Sequence, residues 1–84
     1  GGPGRRHAHT HEVQLMQRLT TLDGLNAGDT VTVGQQCRIP ECRGRSGHLQ
    51  YMYAAQPEFG TPAEFIVSVD GISRPLTRVD FDPA

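Results

Sequence analysis

The sequence predicts a mainly β domain, a small antiparallel barrel or strongly bent sheet with a short N-terminal helix and a disordered N-terminal arm. Three observations carry that prediction. From Thr30 onward apolar residues recur with a period of two, the spacing that places alternate side chains on one face of a strand. Glycine-bearing turns at Gly28-Asp29, Arg43–Gly47 and Asp70-Gly71 punctuate that pattern at short intervals. The chain has 84 residues, below the roughly 100 to 200 that a domain commonly takes, so one domain is all it accommodates.

Residues 1–9 combine Gly, Pro, Arg and His without apolar periodicity, which predicts a flexible arm ahead of a single domain over 10–84. Leu15, Met16, Leu19 and Leu22 then fall on one helical stripe. With Thr10 as N-cap, Glu12 in the first turn and Gly24 as a stop, the spacing predicts a helix over about residues 11–22. The competing reading is a strand with Val13, Leu15 and Leu19 on one face, and the β-branched Thr20 and Thr21 weaken the far end of the helix.

Asp23 to Asp29 reads as a loop, after which Val31 and Val33 alternate with Thr30 and Thr32 in a half-buried strand. Cys37 to Ile39 continues that strand or begins another, and Pro40, with no N–H to give to a central ladder, ends it. The Arg43–Gly47 turn leads into a strand over His48–Ala55, with Leu49, Tyr51 and Tyr53 facing one way and Gln50, Met52 and Ala54 the other. Gln56 to Pro62 is a loop. Ala63 to Val69 follows as a strand setting Phe65, Val67 and Val69 against Glu64, Ile66 and Ser68. Asp70-Gly71 predicts a type I′ hairpin turn, in which both central residues need positive φ. The last strand is interrupted by Pro75 and resumes through Leu76 to Phe81 as an edge.

Leu, Ile, Val and Phe supply 18 of the 84 residues and the net charge is −1, which excludes the low-hydropathy, high-charge class of disordered chains. All eight basic residues are Arg. Two local basic stretches, residues 1–18 and 36–52, sit on a near-neutral chain, so whole-molecule attraction to nucleic acid is not expected. No apolar run approaches the ~20 residues a membrane-spanning helix needs, and the N-terminus lacks the apolar core of a secretory signal, so the expected location is cytoplasmic or within a phage particle.

Leu25-Asn26-Ala27-Gly28-Asp29-Thr30-Val31-Thr32-Val33 resembles the first strand of small SH3-like barrels, and Gly44-Arg45-Ser46-Gly47-His48-Leu49 is similar to the Gly-x-x-Gly-x-apolar turn of the KOW class of those barrels. The resemblance covers residues 25–81 loosely. It implies a five-stranded barrel whose activity is binding, to RNA, to ribosomal or polymerase surfaces, or to neighbouring subunits. The chain departs from the KOW pattern between Asp29 and Gly44, a longer segment that contains both cysteines.

The Arg-rich loop is the predicted contact surface. Arg38, Arg43, Arg45 and His48 surround Gly44 and Gly47, and partly free backbone N–H groups there would suit an anion or a phosphate. The ordinary alternative is a solvated turn whose Arg side chains pair with Glu41, Asp80 or Asp82. Tyr51 and Tyr53 follow the loop as a stacking pair or as core. Cys37, Cys42 and His48, with an imidazole from His7, His9 or His11, compose a zinc set on paper, but the spacing is not Cys-x-x-Cys, and two free thiols or a small disulfide loop outweigh it. Asp80 and Asp82 alternate near the C-terminus and read as solubilising charge on one strand face. No Walker loop, Gly-x-Ser-x-Gly or His-Glu-x-x-His motif is present.

The expected function is a non-enzymatic binding or assembly module, without a cofactor, that attaches through the Arg-rich loop to a larger protein or ribonucleoprotein assembly. The alternatives are direct, weak binding to an RNA or DNA backbone and a small zinc-stabilised module.

Overall fold

The computed structural model describes residues 17–84. The expected arm and the first part of the expected helix, residues 11–16, lie outside the described residues. Where the periodicity predicts the end of that helix, the chain is instead extended. Leu19 exchanges two backbone hydrogen bonds with Met52, of 2.8 and 2.9 Å, and Thr21–Leu22 (β1) pairs with Leu25–Asn26 (β2) across Asp23-Gly24. Asp23 and Gly24 both have positive φ, 54° and 79°, as a two-residue hairpin turn requires, and this turn together with β-branched Thr20 and Thr21 favours the strand. No α-helix occurs among the described residues.

The main sheet contains β3 (Thr30–Val33), β4 (Ser46–Tyr53), β5 (Glu64–Val69), β6 (Ile72–Leu76) and β7 (Phe81–Pro83), in the order β6-β5-β4-β3-β7 with every pair antiparallel. In β3 the expected alternation holds, with Val31 and Val33 buried and Thr30 and Thr32 exposed. Asp70 and Gly71 take φ of 55° and 80° and close the β5–β6 hairpin at Val69 and Ile72. β6 runs through Pro75, which the edge position permits.

The sheet curls strongly. Two strands separate β5 from β7, which in a flat sheet would set them ~14 Å apart. The rings of Phe65 and Phe81, one from each strand, nevertheless meet edge to face with centroids 5.3 Å apart. A barrel is not closed, however, because β6 and β7 do not pair. The physical obstacle is Pro75 on one edge and Pro83 on the other, neither of which has an N–H to offer across the seam. A side chain spans the gap instead: the Arg38 guanidinium donates to the Pro75 carbonyl at 3.3 Å and lies 3.6 Å from the Asp80 carboxylate.

The concave face holds one apolar cluster that draws on Leu25, β3, β4, β5, Leu76 and Phe81. Cys37 and Cys42 belong to it. The segment Cys37–Ile39 is not a strand: Cys37 ends a turn by donating its N–H to the Gly34 carbonyl, and Pro40–Cys42 forms a 3-10 turn that delivers the second thiol inward. The expected strand from Leu76 to Phe81 is likewise replaced by a 3-10 turn, Arg78–Asp80. Asp80 is 3% exposed, accepts hydrogen bonds from the backbone N–H and hydroxyl of Thr77 at 2.8 and 3.1 Å, and gives its own carbonyl to the Gly34 N–H. Asp80 and Asp82 therefore do not share a strand face, and only Asp82 is exposed.

One irregularity in β4 decides what the outer face carries. Leu49 pairs with Val67 and Tyr51 with Ile66, so the register shifts by one residue between them, a β-bulge. Downstream of it the inward positions change phase. Leu49 and Met52 are both buried in the core, whereas Tyr51 and Tyr53 are half-buried on the opposite face. The common face expected for Leu49, Tyr51 and Tyr53 is thereby corrected.

Candidate binding surface

The Arg-rich loop is held mainly by its own backbone. The N–H groups of Arg43, Gly44 and Arg45 donate to the carbonyls of Pro40, Val33 and Cys42, so these three donors are not available to an anion. Gly44 has φ of 76°, and a Cβ there would stand 2.8 Å from the Gln35 amide nitrogen. Gly47 is buried in β4 against the neighbouring β5, where a Cβ would lie 2.6 Å from the Ser68 carbonyl oxygen. Gly44 thus serves the turn of the loop, and Gly47 the close approach of β4 to β5.

The Arg side chains find protein partners. Arg38 joins Pro75 and Asp80 as described, and Arg45 pairs with Asp70 at 3.0 Å at an exposed position where such a pair contributes about 0–1 kcal/mol. Arg43 donates Nε to the Cys37 carbonyl at 2.7 Å and has no acidic partner among the described residues. His48 is exposed on the outer face, opposite Thr30 and Ser68. Cys37 and Cys42 are buried free thiols on the inner side, so the proposed zinc set is divided between the two faces of the sheet. Among the described residues no three His, Cys, Asp or Glu side chains converge as a metal site. Burial pushes the Cys42 thiol pKa up, with the nearby Arg74 charge opposing that rise.

The outer face offers a different constellation. Tyr51 and Tyr53 contact each other edge to face with centroids 5.7 Å apart, and the Arg18 guanidinium lies 4.3 Å from the Tyr51 ring centroid. A hydrogen bond to the Tyr53 side chain, with the proximity of Tyr51, holds the Arg18 guanidinium pKa above its ordinary value. Arg18 reaches this face because its neighbour Leu19 packs toward the core and pairs with Met52, which sends the adjacent residue outward. Ile66 lies across from Tyr51 on β5, and the Ser73 hydroxyl donates to the Gln50 side-chain oxygen at 2.6 Å, tying β6 to β4 over Ser68. Sequence reasoning missed Arg18. The signal was its place beside Leu19 in the strand reading of residues 13–19, which the helical stripe outweighed.

A shallow hollow of about 340 Å³ lies at the far end of β3, lined by Gly34, Gln35, Gln36, Val79 and Asp82. It includes none of the residues singled out as a binding set. No helix among the described residues is long and apolar enough to cross a membrane. Comparison of the chain with protein-family models, with curated proteins and with solved structures finds no match.

Proposed function

We propose that this chain is a non-enzymatic attachment module that holds a larger protein or ribonucleoprotein assembly through the outer face of β4 and β5. The observation that carries the reading is the bulge between Leu49 and Tyr51, which turns two tyrosines away from the core and toward Arg18. Aromatic side chains beside an Arg supply large, rigid contact area with polar tips, the composition of interface hot spots. The contact surface is therefore moved from the Arg43–Arg45 loop to Arg18, Tyr51 and Tyr53. Internal bonding of the loop N–H groups argues against a phosphate cradle there, and Arg43 alone makes a small electrostatic footprint.

The test is site-specific photocrosslinking in cells of the source, with the crosslinker at position 53 or at position 45. Attachment through the outer face predicts one dominant crosslinked partner from position 53, lost in a Tyr51→Ala variant, whose binding falls at least about tenfold if the ring is a hot spot. Crosslinks confined to position 45, or a nucleic-acid crosslink abolished by Arg43→Ala, would replace this reading with the loop.

A further inference from the structure

The described residues contain four strand edges, β6 and β7 of the main sheet and β1 and β2 of the hairpin. On β1 the outward residues are Leu19 and Thr21, and both backbone groups of Leu19 are taken by Met52 at 2.8 and 2.9 Å, which leaves Thr21 alone. In an antiparallel ladder, alternate residues turn their N–H and C=O toward the neighbouring strand, and those between turn them to the open side. Beside the two-residue turn, Val69 and Ile72 form the hydrogen-bonded pair, so on β6 the outward residues are Ser73 and Pro75. Pro75 has no N–H, and its carbonyl accepts from Arg38 at 3.3 Å.

On β7 the ladder bonds run from the Ala84 N–H to the Thr30 carbonyl and from the Gly34 N–H to the Asp80 carbonyl, which makes Phe81 and Pro83 the outward residues. The Phe81 carbonyl is taken by Arg78 Nη1 at 2.8 Å, and Pro83 has no N–H. On β2 the outward residue is Asn26. Its N–H donates to the Asp29 carboxylate at 2.9 Å and its carbonyl accepts from the Asp29 N–H at 3.0 Å. No edge therefore has two successive outward residues with both groups open. An added strand needs that repeat to form a ladder.

We propose that the strand edges of both sheets among the described residues are closed to strand addition, so that neither a second copy nor a partner's extended segment docks on them by edge pairing. Recognition falls to side chains on a sheet face. This rests on the outer-face reading only for which face is used; the edge test needs no partner, so the two fail separately.

The experiment is analytical ultracentrifugation from micromolar to millimolar concentration, with amide hydrogen exchange, on the full chain and on two opened variants. One is Arg38→Ala with Pro75→Thr, and the other is Arg78→Ala with Pro83→Thr. The expected result is a monomer throughout for the unaltered chain, with the Ser73 and Phe81 amides exchanging freely, and a dimer for whichever opened variant folds, with exchange at its opened edge slowed by roughly tenfold or more. A dimer of the unaltered chain that protects the Ser73 or Phe81 amide would overturn the proposal. So would folded opened variants that remain monomeric. Should neither variant fold, exchange in the unaltered chain still decides.

Discussion

Replacing Gly47 with alanine is expected to destabilise the protein by about 3 kcal/mol, lowering Tm by roughly 12–24 °C in thermal denaturation. The methyl would arrive 2.6 Å from the Ser68 carbonyl oxygen and 2.7 Å from a Val67 methyl carbon. Backbone on a central strand cannot swing aside as the end of a long side chain does. Relief requires moving β4 away from β5, which would loosen the pairing of His48 with Ser68 and Leu49 with Val67. Gly34 is the control. A Cβ there meets only ordinary contacts, the nearest at 3.5 Å, so Gly34→Ala is expected to stay within about 0.5 kcal/mol of the parent. Equal effects from the two substitutions would mean that β4 does not approach β5 at Gly47 as closely as described.

Asp80→Ala is expected to cost about 2–4 kcal/mol, against about 0.5 kcal/mol or less for Asp82→Ala, measured by urea denaturation. The Asp80 carboxylate caps the Arg78–Asp80 turn by accepting from both the Thr77 N–H and hydroxyl, and it is the acidic partner of Arg38 across the unclosed seam. Without it a part-buried N–H loses its acceptor, and Arg38 keeps only the Pro75 carbonyl. Asp82 is exposed and makes no such bonds. Comparable losses at the two positions would show that the seam is not held by Asp80.

The strands were legible wherever alternation and turn chemistry agreed. Val31 and Val33, the Phe65–Val67–Val69 face and the Asp70-Gly71 turn all follow from local pattern, because each depends only on residues close in sequence. What the pattern could not carry were features set by distant backbone. The bulge in β4 lets Leu49 and Met52 share a face, against the strict alternation their spacing implies, and it depends on register with β5. Leu19 looked helical beside Leu15 and Leu22, yet the carbonyl and N–H of Met52, 33 positions away, hold it as strand. Asp80 and Asp82 were indistinguishable as letters. The difference comes from Thr77, Gly34 and Arg38 converging on one of them.

Within the candidate site, the acidic partners that the sequence offers the Arg side chains include Asp80, which Arg38 meets, whereas Arg45 pairs with Asp70 rather than Glu41 or Asp82. Cys37 and Cys42 are delivered inward by a turn, and His48 stands on the outer face of a strand.

The most direct measurement is a set of nuclear Overhauser contacts from the Met52 methyl and the Tyr51 and Tyr53 rings. Phase reversal at the bulge predicts that Met52 contacts Phe65, its cross-strand partner in the core, while the two tyrosine rings contact each other and the Arg18 side chain. A Tyr51 ring found against Phe65 or Val67, with Met52 facing solvent, would contradict the account and remove the surface on which the proposed attachment depends.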